Sequence, residues 1–170
     1  MLKNTLSLFT ATFLATAAWG ADTGVTPLNK QDLEFAQKAA QCDLLEVRSS
    51  EIALKRGLNQ DDKAFAQQMI DDHKKVSHEL AAIAEKKGIS LPLDLDTKHQ
   101  EKLDTLAKAN DKEFGERYCE LQISAHKAAV DLFKEQADDG KDADLKAFAI
   151  ATLPTLKTHL DHAKKLEDKH

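Results

Sequence analysis

The sequence lacks the short motifs that identify most enzymes. It has no Gly-x-Ser-x-Gly, no glycine-rich loop that would hold a phosphate, and no cysteine beside a histidine. Nucleophilic catalysis therefore finds no support, and no reaction follows from the residues. The sequence also lacks a run of β-branched residues that would favour a sheet, so its elements are expected to be helices.

Basic residues are never concentrated in one block. The formal net charge is −5, and it becomes −6 if a leader that contains Lys3 is removed. An acidic chain without a basic patch is a poor ligand for polyanions. We therefore expect no nucleic acid and no anionic membrane among its partners, and an envelope protein remains a candidate partner.

Long apolar runs are absent after the N-terminus. The run from Leu6 to Ala18 follows a positive Lys3 and precedes the small residues of an Ala-Trp-Gly sequence, which is typical of a signal peptide. We predict a signal peptide over 1–20, a linker over 21–28 and one domain over 29–170. The run is short for a membrane span, and no later stretch is longer, so no transmembrane segment is expected after cleavage. The predicted location is periplasmic or secreted, in a bacterium.

Cysteine is scarce, with only Cys42 and Cys119. In an oxidising compartment the two residues are candidates for one long-range disulfide, and two buried free thiols are the alternative. A redox pair is disfavoured because there is no Cys-x-x-Cys motif.

The spacing of apolar residues predicts an all-α chain. Asn29, Asn59 and Gly88 are helix start and stop signals, and Pro92 lies in an extended crossing segment over 89–96. Four long helices with a tight first turn and a long second connection form a four-helix bundle with a crossover. The predicted helices cover 30–56, 60–87, a short 97–109 within the crossover, 110–139 and 142–170, with Gly57 as a left-handed terminator and capping boxes at Thr97–Gln100 and Asn110–Glu113.

Each long helix has an apolar stripe that predicts its buried face. The stripes are Leu33, Ala36, Ala40, Leu44, Val47 and Leu54 in the first helix; Ala66, Met69, Val76, Leu80 and Ile83 in the second; Phe114, Tyr118, Leu121, Ala125, Ala128 and Leu132 in the third; and Leu145, Ala149, Thr152, Leu156, His159, Ala163 and Leu166 in the fourth.

Titratable residues interrupt these stripes near the middle of each helix. With a rise of about 1.5 Å per residue, Glu46, His73 and His126 lie at similar heights in the bundle, and His159 is displaced by about one turn. Imidazoles and carboxylates that converge from facing helices form metal sites in bundle proteins. The predicted metal ligands are His73, His126 and His159, assisted by Asp72 or Glu46, and imidazole suits Zn, Cu, Ni or Fe.

The same residues have a simpler interpretation. A histidine in an apolar stripe can be a hydrogen-bonded core residue, and a buried pair with Asp72 or Glu46 can fix the register of the helices without any metal. In that case the protein is a structural or interaction module of the cell envelope, related to stress. The Glu-x-x-His motif of di-iron bundles is absent, because Ile70, Ile123 and Leu156 stand three residues before the histidines.

Several segments in this order and spacing resemble an exported bacterial family, domain of unknown function 4142. The family is often labelled as outer-membrane proteins and is grouped with the ferritin-like bundles. The resemblance implies a ferritin-like fold with a crossover and a periplasmic location, and it implies no particular activity. Gly115 is a departure, because the family usually has Asp there, and the two cysteines are not part of the pattern. The matching segments are LEV at 45–47, FAQQMIDDH at 65–73, GISLP at 88–92, EFGERY at 113–118, His126, and LPTLKTHL at 153–160.

Overall fold

A computed structural model describes residues 28–170 of the chain. These residues contain five α-helices and no strand, which confirms the all-α prediction for this part of the chain. The predicted signal peptide over 1–20 and nearly all of the linker over 21–28 lie outside the described residues. The helices are α1 (Lys30–Leu54), α2 (Gln60–Lys87), α3 (Thr97–Ala107), α4 (Phe114–Asp139) and α5 (Ala143–Glu167).

The four long helices lie side by side around a shared interior. Helix α1 packs against α2 and α4, and α5 packs against α2 and α4, so each long helix has two long neighbours. The short α3 lies against α1 and α4. Among the helices of residues 28–170, none combines the length and the apolar character that a membrane span needs.

The segment between α2 and α3 is fixed to α1 by polar side chains. Gln41 donates from Nε2 to the Asp94 carbonyl at 2.8 Å and accepts from the Asp96 backbone N–H at 2.9 Å. Arg48 forms an ion pair with the Asp94 carboxylate at 2.9 Å. These contacts hold the crossover along the first helix.

Two large apolar clusters fill the interior, one towards each end of the long helices, and a small third cluster joins α3 to α1 and α4. The first contains Phe35, Phe133 and Phe148, whose rings meet edge to face or tilted at 5.0–6.3 Å between centroids. The second contains Phe65 and Tyr118, with ring centroids 6.2 Å apart. Buried polar residues lie on the helices between the two clusters, and these residues form the candidate site described below.

The helix ends follow several of the predicted signals. Asn29, Asn59 and Asp142 are N-caps whose side chains accept backbone N–H groups. Gly88 ends α2 in the left-handed conformation, with φ of 66°. Backbone amides at a helix start have no intrahelical partner, so these side-chain acceptors stabilise the starts.

Other end signals were predicted wrongly. Helix α1 ends at Leu54, and Gly57 does not have a positive φ. Asp96, rather than Thr97, caps α3 and accepts the His99 N–H. Asn110 accepts the Lys112 and Glu113 N–H groups in a turn that precedes α4, and Glu113 makes no cap hydrogen bond. Asp96 has the extended backbone of an N-cap, which directs its carboxylate to the free His99 amide.

The predicted buried faces are confirmed for α5 and are rotated for α1. All seven predicted seam residues of α5 are buried. In α1, Leu33 is exposed and Leu44, Val47 and Leu54 are only partly buried, whereas Asp43 and Glu46 are fully buried. Helix α4 is rotated similarly in its second half, where Gln122, His126, Ala129 and Phe133 are buried in place of Ala128 and Leu132. The buried faces carry polar residues, so a search for apolar residues alone places them wrongly.

The predicted disulfide is absent from the described residues. Cys42 and Cys119 are free thiols, and they pack in different apolar clusters. Burial raises the pKa of Cys119 to about 12 and raises that of Cys42 as well. In the metal-free protein both thiols are therefore protonated, which corresponds to the alternative of two free thiols.

A buried carboxylate ties the start of α1 to the turn between α4 and α5. Asp32 is 1% exposed. It accepts Gln136 Nε2 at 2.6 Å and the backbone N–H groups of Lys141 and Asp142 at 3.1 and 2.8 Å. One side chain thus satisfies donors from two chain segments about a hundred residues away, and it closes one end of the bundle.

Replacing this carboxylate should destabilise the fold. Asp32→Ala leaves the buried Gln136 amide and two backbone donors without their acceptor, so we expect a loss of about 2–3 kcal/mol in the free energy of unfolding. Urea denaturation of the metal-free protein measures it. Glu34→Ala, on the same helix and with a side chain that is 43% exposed, is the matched control and should change stability by less than about 0.5 kcal/mol. Equal stability of the two variants would contradict this role of Asp32.

Candidate metal centre

Three imidazole rings meet in the interior, between the two apolar clusters. His73 lies on α2, His126 on α4 and His159 on α5, and each residue is at most 1% exposed. Every pair of ring centroids is 5.4 Å apart. One ring nitrogen from each histidine lies within 4.8 Å of those of the other two. The structure therefore brings together the three histidines that the sequence predicts as ligands.

The height offset predicted for His159 disappears in the structure, and the direction of helical side chains explains why. Each Cα–Cβ bond in a helix tilts towards the N-terminus of that helix. Helices α4 and α5 are consecutive and antiparallel neighbours, so the side chain of His126 leans away from their connecting turn. The side chain of His159 leans towards the turn. The two rings consequently meet although their Cα atoms differ in height.

The hydrogen-bond partner of His126 fixes its tautomer. Its Nδ1 is 2.9 Å from the Gln122 carbonyl oxygen, which can only accept, so Nδ1 carries the hydrogen. Burial, together with the nearby charge of His73, lowers the pKa of His126 to about 3. The ring is therefore neutral at pH 7, and its Nε2 presents a lone pair to the interior of the site.

His73 is fixed by carboxylates on α1. Its Nδ1 donates to Asp43 Oδ1 at 2.9 Å, and Ser77 donates to the other oxygen of Asp43 at 3.1 Å. Burial lowers the pKa of His73, but Glu46 and Asp43 outweigh that effect and raise it to about 9. His73 Nε2 is 3.3 Å from His126 Nε2. Since the latter is an acceptor, a proton on His73 Nε2 bridges the two rings.

The Nε2 atom of His159 points away from the other two rings. Its Nε2 donates to Asp72 Oδ2 at 3.1 Å. Burial and the charge of His73 lower the pKa of His159 to about 4, so this ring is also neutral. Its Nδ1 is buried and has no hydrogen-bond partner within residues 28–170. A buried nitrogen lone pair of this kind is costly unless something binds it.

Glu46 and Asp72 lie outside the triangle of rings. Glu46 is 0% exposed, and its Oε2 and Oε1 are 3.0 and 3.4 Å from Nδ1 of His73 and His126 respectively. Burial raises the pKa of Glu46 to about 7. Asp72 is partly exposed and contacts only the outer nitrogen of His159 in the site. Both carboxylates therefore support the rings from outside in the structure, and their role as direct ligands stays a prediction.

The sequence analysis missed Asp43. This residue is 3% exposed, contacts His73 directly, and forms a second group of three potential ligands with Glu46 and His73. A signal for it exists in the sequence, because Asp43 stands three residues before Glu46 and hence on the same face of α1. The apolar stripe assigned to α1 had placed that face towards solvent.

The arrangement suits a metal ion held by three nitrogens. Metal-binding histidines usually donate their second N–H to a carboxylate or a backbone carbonyl, which fixes the ring and raises its basicity. All three rings have such a partner here, in Asp43, the Gln122 carbonyl and Asp72. With metal–nitrogen distances of about 2.0–2.1 Å, three ligands around one ion would be about 3.3–3.6 Å apart. The 3.3 Å between His73 and His126 already has that value.

The fold and the site together define an all-helical protein with a buried histidine and carboxylate cluster. A family model matches residues 17–166, and the chain belongs to that family, domain of unknown function 4142 (DUF4142). No curated protein is a significant match in sequence.

Two solved structures share the fold. The DUF305 fragment from Deinococcus radiodurans has a TM-score of 0.76 and 13% identity, covering 85% of this chain and 100% of that fragment. CopM in the Cu(I)-bound form has a TM-score of 0.68 and 15% identity, covering 81% of this chain and 96% of the other. At these identities the likeness concerns the fold alone.

The low pKa values of two histidines predict a loss of stability in acid. Around pH 5 the unfolded chain protonates His126 and His159, whose ordinary pKa is 6.5, whereas the folded chain with values of about 3 and about 4 does not. Stability therefore falls as the pH decreases, by about 1.4 kcal/mol per pH unit for each histidine. Glu46 opposes the trend, because its pKa of about 7 lets the folded chain take up a proton first.

The contribution of one histidine can be isolated by substitution. Urea unfolding of the metal-free protein at several pH values between 6 and 4.5 gives the slope of the free energy of unfolding against pH. We expect this slope to be smaller in His126→Gln than in the wild type by about 1.4 kcal/mol per pH unit. His78→Gln, an exposed histidine on α2, is the matched control and should leave the slope unchanged. Identical slopes in all three proteins would contradict a neutral, buried His126.

Proposed function

We propose that the protein binds one transition-metal ion through His73, His126 and His159. The observation that carries this proposal is the convergence of three buried imidazoles whose outer nitrogens already have fixed partners. His159 Nδ1 is free to bind, and the Nε2 atoms of His73 and His126 become free when the proton between them leaves. No step of catalysis is needed to account for the site, and we propose binding rather than an enzymatic reaction.

Copper is the metal that we favour. Imidazole ligands suit copper, zinc, nickel and iron, and among the divalent first-row ions copper binds most tightly to such sites. A triangle of three neutral nitrogens in a dry interior also accommodates Cu(I), a soft ion of low charge. The likeness in fold to CopM, which was solved in a Cu(I)-bound form, supports this choice. Zinc is the competing ion, since three histidines and one open position are a common zinc arrangement.

The carboxylates around the rings have a defined part in this function. Asp43 and Asp72 orient His73 and His159, and Glu46 places a titratable group beside the outer nitrogens of His73 and His126. A cation in the triangle would displace the proton from His73 Nε2, so metal binding and proton release are coupled. The positive charge of the ion would then favour the ionised form of Glu46.

We further propose that the mature protein works outside the cytoplasm, in the periplasm or as a secreted protein. This rests on the charged start, apolar run and small residues of 1–20 in the sequence. We also propose that the four long helices and the crossover through α3 are a ferritin-like bundle, as the family resemblance implies. The alternative function is a metal-free structural or interaction module of the cell envelope, in which a proton bridges His73 and His126 permanently.

A metal titration combined with thermal unfolding separates these functions. A ligand that binds only the folded state stabilises it by about 2.7 kcal/mol when its concentration is a hundred times its Kd. We expect Cu(I), supplied under reducing conditions, or Cu(II) to raise the Tm of the wild type. His73→Ala and His126→Gln should lose that increase, measured for each variant as the difference between its metal-loaded and metal-free Tm.

His78→Gln is the matched control, because this histidine is exposed on the same helix as His73. It should keep the full increase in Tm. The proposal would be overturned by a wild type that no copper, zinc, nickel, cobalt or iron ion stabilises. An increase that survives undiminished in both His73→Ala and His126→Gln would exclude the triangle of histidines as its source.

The outer partner of His73 should set the metal affinity. Asp43→Ala removes the acceptor that orients His73 Nδ1, and losing such a partner typically weakens metal binding by about 10–100-fold. Competition with a chelator of known affinity measures the change. Asp71→Ala, an exposed carboxylate on α2, serves as the control and should bind as tightly as the wild type. Equal Kd values for Asp43→Ala and Asp71→Ala would rule out this role.

A further inference from the structure

A second group of potential ligands lies at the apolar cluster of Phe65 and Tyr118, to which Cys119 belongs. It consists of Asp62 on α2, Cys119 on α4 and His170 after α5, with one ligand atom from each within 4.8 Å of the others. Asp62 is 1% exposed and Cys119 is 0% exposed, whereas His170 is exposed. The group shares no residue with the triangle of histidines.

The buried carboxylate of Asp62 can accept a further hydrogen bond or bind a cation. Its Oδ2 accepts Asn59 Nδ2 at 2.8 Å and lies 3.1 Å from His170 Nε2. Its Oδ1 is buried and has no hydrogen-bond partner among the residues that the structure describes. A buried carboxylate oxygen without a donor is costly, and a bound cation is one of the few ways to satisfy it.

Gly115 makes room for the imidazole of the group. A Cβ atom at this position would lie 2.5 Å from His170 Cε1 and 3.1 Å from each of its ring nitrogens. The ring of His170 therefore rests on the bare backbone of α4, one turn before Cys119. This close approach depends on glycine at 115, since any other side chain would push the ring away from Asp62.

We infer that Asp62, Cys119 and His170 form a second metal site, for a borderline divalent cation such as Zn²⁺. A thiolate, an imidazole and a carboxylate are the three ligand types of zinc, and three protein ligands leave a fourth position for water. Copper or zinc would also be retained by the thiolate, whereas the triangle of histidines offers nitrogen only. His170 is a surface residue whose side chain is 20% exposed, and its edge gives the ion a route from solvent to the buried thiol.

Binding at this site is balanced by the release of one proton. The thiol of Cys119 forms its bond to the cation as a thiolate, and the proton passes to solvent. The sulfur is not oxidised and no electron is transferred. The charge of the cation then compensates the thiolate and the Asp62 carboxylate, which lie together in an apolar environment.

Cobalt reports on this site directly, because Co²⁺ bound to a thiolate gives an intense ligand-to-metal charge-transfer absorption in the near ultraviolet. We expect the reduced, metal-free wild type to develop this band with saturating Co²⁺, and Zn²⁺ to abolish it by displacement. Cys119→Ser should lack the band. Cys42→Ser is the matched control, since it removes the other thiol of the sequence, and should keep it.

Two further variants test the site without disturbing the core. His170→Asn removes an exposed ligand, and Gly115→Ala introduces the Cβ that displaces the ring while favouring the helix. Each should weaken Co²⁺ binding by at least about 10-fold, the change typical of a lost metal-site contact. No band in the wild type would overturn the inference. A band whose affinity is unchanged in His170→Asn and Gly115→Ala would also overturn it.

The cobalt band tests the second site separately from the triangle of histidines. His126→Gln should retain the charge-transfer band while losing any binding at the triangle, and Cys119→Ser should show the reverse. Loss of the band in His126→Gln, with the helical content unchanged by circular dichroism, would mean that Cys119 is not part of a separate site. Failure of the proposed copper function would leave the cobalt band untouched.

Discussion

The candidate site depends on where each histidine keeps its ring hydrogen. The Gln122 carbonyl can only accept a hydrogen bond, so it forces the hydrogen of His126 onto Nδ1. Asp43 likewise accepts the hydrogen of His73 Nδ1, and Asp72 accepts the hydrogen of His159 Nε2. With the outer hydrogens committed, the inner nitrogens of His126 and His159 present lone pairs to the site, and the inner nitrogen of His73 faces them. A proton holds two of them together in the metal-free protein, and a metal ion could hold all three.

The fold makes this arrangement possible by separating the interior into two apolar clusters. Each cluster packs large side chains between the four long helices, and the polar residues lie between them. Burying three imidazoles and two carboxylates between the clusters lowers the stability of the fold unless their polar atoms have hydrogen-bond partners. The packing at both ends and the network anchored by Asp32 offset that cost. The same burial keeps His126 and His159 neutral, which is the state that a metal ligand requires.

The fold class, the helix order and the three histidines could be predicted from the sequence, because capping residues and apolar periodicity act locally. The buried face of α1 could not be predicted in this way. Its buried side contains Asp43 and Glu46. Glu46 was predicted as an assisting ligand, but a search for apolar residues missed Asp43 and placed the stripe of α1 on the wrong side. The height of the His159 ring could not be predicted by counting residues along the helix either, because side chains on antiparallel helices tilt in opposite directions. The role of Gly115 emerges only when His170 is seen against it.

The most direct test of the account is the tautomeric state of the histidines in the metal-free protein at pH 7. Long-range proton–nitrogen correlation NMR of a ¹⁵N-labelled sample distinguishes the two nitrogens of each ring. The account predicts a neutral His126 with its hydrogen on Nδ1 and a neutral His159 with its hydrogen on Nε2. It also predicts a His73 with hydrogen on both nitrogens. A His126 ring protonated at Nε2, or a His159 ring protonated at Nδ1, would contradict it, because the lone pairs would then point away from the centre.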